Sequence, residues 1–129
     1  MAVQMRTVGL IVDDMAASLA FYRLLGLEIP AETDSEAHVE LEDETGVIGL
    51  AWDTAEVIRR LDPEWSGAAG RVGVAFQCDS PEEVDSRYAQ LAALGYGHNE
   101  PWDAFWGQRY SRLRDPDGNR VELFAPLPE

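Results

Sequence analysis

The residues of this chain that are best suited to binding a small molecule lie between positions 102 and 122. Nine successive positions hold four aromatic side chains, namely Trp102, Phe105, Trp106 and Tyr110. Aromatic rings bind planar, amphipathic or cationic compounds by stacking and cation–π attraction, at about 0.5–2 kcal/mol per contact. The same rings can instead fill a core or a dimer interface, where Trp and Tyr are also enriched. The cluster therefore indicates either a binding surface or a packing surface.

Two residues of opposite charge, Arg112 and Glu122, flank the segment Asp115-Pro116-Asp117-Gly118. This segment predicts a hairpin turn, because proline sets φ and glycine accepts the left-handed conformation. Arg112 and Glu122 lie about equally far from the turn, so we expect them to face the same cavity. Glu122 then either pairs with Arg112 or binds a cationic group of a ligand.

Alternation along these strands assigns the side chains to faces. The last strand carries a mixed set, Arg120, Glu122 and Phe124, and an apolar set, Val121, Leu123 and Ala125. The apolar set should pack against helices, which leaves Glu122 toward a cleft. In the preceding strand one face holds Trp106, Gln108, Tyr110 and Arg112. We predict a ligand site formed by Trp106, Tyr110, Arg112 and Glu122, with Trp52 and Trp102 as further walls.

The other reactive residue types carry weaker signals. His38 alternates with apolar neighbours in a strand-like segment, so we expect it to be exposed or at a cleft rim rather than a metal ligand. His98 follows Gly97 at a strand start and should be solvated. Cys78 ends an apolar strand and is expected to be buried and inert. As the single cysteine it cannot form an internal disulfide, which is typical of a cytoplasmic protein.

Charge narrows the range of partners. The chain has 129 residues, 46% of them hydrophobic, with 24 acidic and 10 basic residues and a net charge of −14. Such a chain repels nucleic acids and acidic membrane surfaces, so we expect neither as a partner. Every basic residue is arginine, and the lack of lysine excludes Schiff-base chemistry and a P-loop. The first six residues do not resemble a secretion signal, and we expect a cytoplasmic protein.

The elements that position these residues form two similar halves. An apolar run at 8–11 is echoed by one at 72–75, 64 positions later. Each run is followed by a helical pattern, one closed by Gly26 and the other opened by the capping box at 80–83 and closed by Gly95. Three strand-like segments follow each helix, at 27–33, 37–42 and 47–52, and then at 97–102, 107–114 and 119–125.

This plan is βαβββ twice, and we predict an α+β fold in one domain over 1–129. The first module covers about 5–53 and the second about 72–125. Between them lies a linker over about 54–71, with a short helix at 54–61 and glycine-containing chain at 63–71.

Several motifs on this plan resemble the vicinal oxygen chelate superfamily, which includes glyoxalase I, extradiol dioxygenases and bleomycin-resistance proteins. The motifs are Asp14, Ser18, the FYRLLG segment at 21–26, Trp106-Gly107 and the RDPDGNRVEL segment at 114–123. The resemblance runs from about residue 7 to 125. It implies that curved mixed sheets of the two modules enclose a cleft and that the protein pairs as a homodimer.

The resemblance also implies where a metal would be held, namely on the first and last strands of the modules. Those positions fall on Thr7, on about Gly73, on Trp52 or Asp53, and on Glu122. Zinc, nickel and iron sites need several nitrogen or oxygen ligands, and only Glu122 has the expected type. We therefore predict no metal and no cofactor.

Together these observations favour a metal-free protein that binds an aromatic compound, including a cationic one, in a cleft, with drug or toxin sequestration as its role. The alternative is a metal-dependent lyase, isomerase or dioxygenase of the same superfamily with Glu122 as a ligand. A second alternative is an interaction module whose aromatic residues serve only dimerisation.

Overall fold

A computed structural model describes residues 7–42, 49–61, 63, 65–67 and 73–129, and these residues contain seven strands and three α-helices. The elements of the first half are β1 (Thr7–Val12), α1 (Met15–Leu25), a 3-10 helix (Ala31–Ser35), β2 (His38–Glu42), β3 (Gly49–Thr54) and α2 (Ala55–Leu61). Those of the second half are β4 (Gly73–Gln77), α3 (Pro81–Ala92), β5 (Gly97–Ala104), β6 (Gln108–Arg114) and β7 (Arg120–Pro126).

The strands form two mixed sheets of the same design. The first has the order β1-β3-β2 and the second the order β4-β7-β6-β5. In the first sheet β1 is parallel to β3, and in the second β4 is parallel to β7. The other neighbouring strands are antiparallel. This architecture confirms the predicted α+β class and is consistent with two βαβββ modules. No helix in the described part of the chain is long and apolar enough to cross a membrane.

The chain divides into two compact units. The first unit contains Met1–Ala20 and Glu28–Gly67, and the second contains Phe21–Leu27 and Ala68–Glu129. The C-terminal part of α1 thus belongs to the second unit. The predicted short helix at 54–61 is α2. The connection between the strands predicted at 37–42 and 47–52, and most of the linker predicted at 63–71, lie outside the described residues.

The strand predicted at 27–33 is wrong. This segment has no regular structure up to Pro30, which is followed by the 3-10 helix. Proline has no amide hydrogen to donate to a sheet, and the Thr33 hydroxyl donates to the Pro30 carbonyl at 2.6 Å. Local hydrogen bonding by small polar side chains therefore replaces strand pairing, and three strands make up the described first sheet.

The ends of the helices follow the predicted signals. Gly26 ends α1 with φ of 122°, and the Leu27 amide bonds the Tyr22 carbonyl at 3.0 Å. At the start of α3 the Ser80 hydroxyl accepts a hydrogen bond from the Glu83 amide at 3.2 Å. In a standard capping box the Glu83 carboxylate would accept a hydrogen bond from the amide of the cap residue, Ser80. Here it accepts one from the amide of Asp79, one residue earlier.

Strand alternation sorts the second sheet into two faces, as predicted for β7. Val121, Leu123 and Ala125 are buried, together with Ser111 and Leu113 of β6. Helix α3 packs on β5, β6 and β7, which accounts for this buried side. The other side, here called the polar–aromatic face, carries Trp102, Tyr110, Arg112, Glu122 and Phe124.

The most distinctive sequence motifs meet inside the second unit. The Tyr22 hydroxyl, in the 21–26 motif, donates to Asp115 Oδ2 at 3.0 Å, and both residues are buried. Asp115 also accepts hydrogen bonds from the amides of Asp117 and Asn119 and from the Asn119 side chain, which fixes the β6–β7 turn. Burial raises the pKa of Tyr22, and the nearby Asp115 carboxylate raises it further.

Candidate functional site

Trp106 lies at the centre of an exposed aromatic cluster. Its ring is 5.5 Å from that of Trp102, 5.0 Å from that of Phe105 and 5.3 Å from that of Tyr110, measured between centroids. All three contacts are edge-to-face, the geometry that the ring quadrupoles prefer. Trp102 is 41% exposed, Trp106 48% and Phe105 91%, so the cluster presents aromatic surface to solvent.

The β5–β6 hairpin produces this cluster locally. Its turn carries Phe105 and Trp106 and ends at Gly107, which has φ of 93° and donates to the Ala104 carbonyl at 3.0 Å. Trp102 and Tyr110 are opposite each other in the strand register, so their side chains share a face. The Trp106 indole donates to the Gln108 side chain at 2.7 Å, which holds the ring over the turn.

Arg112 extends the cluster on the same face. Its guanidinium Nη2 donates to the Tyr110 hydroxyl at 3.3 Å, and its Cζ lies 5.9 Å from the centre of the Tyr110 ring. Arg112 Nε is buried and has no hydrogen-bond partner among the described residues. The buried Nε cannot be reached by a ligand, so the Nη groups are the donors of this guanidinium that remain available.

Glu122 lies opposite Arg112 in the strand register, as the turn predicts, but the two do not form the ion pair considered from the sequence. The Glu122 carboxylate instead lies 3.4 Å from the guanidinium of Arg120, two residues earlier on β7. Register therefore sets which residues are neighbours, whereas side-chain conformation decides which neighbours pair.

Trp52 belongs to the first unit, whereas the other predicted site residues belong to the second. It is fully buried in the first unit, where its strand neighbours are the buried Leu10 and Val39. Its ring thus belongs to the core of that unit. The structure brings together Trp102, Trp106, Tyr110, Arg112 and Glu122 in the second unit.

The surroundings of Glu122 do not fit a metal ion. Its neighbours across the sheet are Ala75 on β4 and the cationic Arg112 on β6, and Arg120 pairs with it. Gly73 offers no side chain. Within residues 7–42, 49–61 and 73–129 no group of three or more His, Cys, Asp or Glu side chains could hold a metal. Two guanidinium groups beside one carboxylate favour an anion over a cation.

A polar triad that the sequence analysis did not identify lies on the first sheet. His38 Nδ1 is 2.5 Å from Asp53, its opposite in the β2–β3 register, and Nε2 is 3.0 Å from Glu40. Hydrogen bonding to Asp53, and then to Glu40, raises the pKa of His38. The His38 side chain is 50% exposed, which confirms the expected exposure. Only the β2–β3 register could have indicated Asp53 as its partner.

Cys78 is buried, as predicted. Burial, reinforced by the Glu83 carboxylate, raises the pKa of its thiol to about 11. A thiol with so high a pKa is a poor nucleophile at neutral pH, so Cys78 takes no part in the site.

Comparison with known proteins defines the family. A sequence model described as the Glyoxalase/Bleomycin resistance protein/Dioxygenase superfamily matches residues 4–123. The chain belongs to this superfamily. A curated relative, the uncharacterized protein YraH of Bacillus subtilis, is 31% identical over 126 residues, which cover 93% of this chain and 96% of YraH.

Solved structures of the superfamily resemble the whole chain. A family enzyme from Burkholderia phytofirmans matches with a TM-score of 0.79 at 19% identity, and the match covers 97% of this chain and 100% of the enzyme's chain. At this identity the likeness shows the fold alone. A family protein from Nocardioides has a TM-score of 0.71 at 27% identity, and the match covers 98% of this chain and 85% of that protein's chain. A protein named lactoylglutathione lyase, from Agrobacterium tumefaciens, has a TM-score of 0.64 at 26% identity, and the match covers 96% of this chain and 92% of that protein's chain.

Proposed function

We propose that this superfamily member is a metal-free small-molecule-binding protein that holds a planar aromatic compound on the cluster around Trp106. The observation that carries this proposal is the exposure of Trp102 and Trp106 within a fixed array of ring contacts. Solvated indole faces are costly to leave exposed, and a stacked guest removes them from water. Polar groups beside the rings, Arg112 and Glu122, would orient the guest.

The resonances of the four indole N–H groups provide a direct test. A planar ligand such as a naphthalene derivative should shift the indole signals of Trp102 and Trp106 in a nitrogen–proton correlation spectrum. The signal of Trp52, which is fully buried, should stay in place. Shifts confined to Trp52 and Trp65, or no shift with any planar compound, would contradict the proposed site.

The variant Trp106→Ala removes the ring that contacts three others. We expect it to weaken a planar ligand by about 1–3 kcal/mol, or about five- to a hundredfold in Kd by calorimetry. The matched control is Trp65→Ala, which removes an indole that contacts Arg59 in the first unit. Equal affinities for the wild type and Trp106→Ala would overturn the assignment.

A metal-dependent lyase, isomerase or dioxygenase is the second candidate. Two observations favour it: Glu122 keeps the residue type expected of a metal ligand, and a similar structure bears the name lactoylglutathione lyase. Elemental analysis of protein purified without chelator decides between the candidates. Near-equimolar nickel, zinc or iron that is lost on Glu122→Ala would favour the enzyme, and protein without stoichiometric metal would favour the binding protein.

We further propose that the protein is a cytoplasmic homodimer that sequesters a toxic compound, with antibiotic resistance as one form of this role. The exposed Phe105 and Leu94 support an assembly, since large apolar side chains on a surface often mark an interface. Light scattering should give twice the chain mass of 14.3 kDa. A persistent monomer would contradict the dimer, and expression that fails to raise tolerance to any bound drug would contradict resistance.

A further inference from the structure

Arg112 has no carboxylate partner among the described residues, a property that it shares with Arg59 and Arg114. Four described arginines form ion pairs with acidic side chains, in the pairs Arg60–Glu56, Arg87–Glu83, Arg109–Asp85 and Arg120–Glu122. The chain carries 24 acidic residues, so acidic partners are abundant. Arg112 nevertheless contacts no acidic group within the described residues.

The surroundings of Arg112 make this lack of a partner costly. The side chain is partly buried, and its Nε is fully buried without a hydrogen bond in the described structure. Its Nη2 has only the neutral Tyr110 hydroxyl, at 3.3 Å. A partly desolvated charge without an acidic partner costs free energy, and an anion can lower this cost at the Nη groups, since the buried Nε is out of reach. The planar guanidinium fork fits a carboxylate in a bidentate arrangement.

Glu122 is the neighbouring acidic group that could meet this need. It lies opposite Arg112 in the register, but its carboxylate is directed to Arg120 at 3.4 Å. The three charges on this part of the polar–aromatic face therefore leave one positive charge in excess. That local excess is opposite in sign to the net charge of −14 of the whole chain.

The aromatic cluster connects directly to this free guanidinium. The Tyr110 ring lies 5.3 Å from the ring of Trp106 and 5.9 Å from Cζ of Arg112. A ligand whose ring rests against Trp106 or Tyr110 can therefore place a short acidic arm on Arg112.

We infer that the ligand is an aromatic acid, whose carboxylate is bound by Arg112 and whose ring rests on the cluster around Trp106. This inference rests on the proposed aromatic-binding function and names its ligand class. Arg112 is then a specificity-determining residue, because it selects the charge of the ligand, whereas the rings bind the planar part whatever its charge.

Three probes with the same ring separate these two contributions: naphthylacetic acid, naphthylethanol and naphthylethylamine. We expect the acid to bind the wild type at least about tenfold more tightly than the alcohol, and the amine to bind most weakly. Arg112→Met keeps an unbranched stem as far as the position of Nε but removes the fork, and should weaken the acid about tenfold while leaving the alcohol within about twofold. The control Arg60→Gln makes the same change of net charge on α2 and should weaken none of the probes.

The outcomes separate this inference from the proposed function. If all three probes bind the wild type equally and Trp106→Ala weakens them all, the aromatic site stands and the acid specificity is refuted. If no probe binds, both are refuted. The probe comparison needs only the wild type, so it decides the matter even if Arg112→Met fails to fold.

Discussion

Removal of the Tyr22 hydroxyl tests how the superfamily motifs hold the second unit together. Tyr22→Phe keeps the ring and its edge-to-face contact with Phe21, at 5.0 Å between centroids, but deletes the hydrogen bond to Asp115. Both partners are buried, so water cannot replace the lost donor without opening the structure. Asp115 would keep its other three hydrogen bonds, all from the turn that follows it.

The expected loss of stability follows from the kind of bond. Hydrogen bonds to charged groups contribute about 1.5–3 kcal/mol, roughly twice a neutral bond. For a chain of this length such a loss lowers Tm by about 5–12 °C. Asp115→Ala should cost more than Tyr22→Phe, because it also removes the acceptor of two backbone amides in the β6–β7 turn.

Urea unfolding followed by circular dichroism and tryptophan fluorescence measures the free energy of unfolding in each variant. The matched control is Tyr96→Phe, because the Tyr96 ring also contacts Phe21 but its hydroxyl has no hydrogen-bond partner among the described residues. Tyr22→Phe should be destabilised and Tyr96→Phe nearly unchanged. Equal stability of the two variants would refute the assignment of this bond as a main link between the motifs.

Two further predictions concern titrating groups outside the proposed site. The pKa of His38 should exceed its ordinary value of about 6.5, and Asp53→Asn should lower it, whereas Glu42→Gln should change it little; proton NMR titration measures all three. Because the folded-state pKa is raised, His38 stabilises the fold fully below about pH 6.5, and this stabilisation disappears as the pH rises through the folded-state pKa. The variant His38→Gln should therefore lose more stability at low pH than at high pH. An equal loss of stability at all pH values would contradict this prediction. Cys78, whose pKa is raised to about 11, should resist alkylation at neutral pH until urea unfolds the chain, and rapid native labelling detected by mass spectrometry would show that it is accessible.

The second module was largely predictable because its signals are local. Alternation predicted the buried set of β7, and the Asp-Pro-Asp-Gly segment predicted the β6–β7 turn. The cap at Ser80 likewise placed the start of α3 correctly. Each of these features depends on residues within a few positions of one another, so the sequence contains the whole interaction.

The first module was less predictable because one of its strands depends on pairing with a neighbour. The residues at 27–33 have some strand propensity, but Pro30 and the polar residues after it form a 3-10 helix instead. Strand propensity reports whether a segment fits a sheet, and it does not report whether an edge is available to pair with.

The candidate site shows the same division. The sequence by itself determined that Tyr110, Arg112 and Glu122 lie on neighbouring strands around a turn, because hairpin register follows from local turn chemistry. Trp106, assigned from the sequence to the same strand face as Tyr110, instead lies in the β5–β6 turn.

Only the tertiary structure decided how these side chains are used. It buried Trp52 in a core, paired Glu122 with Arg120 and left Arg112 without an acidic partner in the described chain. It also joined Tyr22 to Asp115, which are 93 residues apart. Burial and long-range pairing depend on which surfaces meet after folding. Neither periodicity nor spacing contains that information, since both describe only the order of residues along the chain.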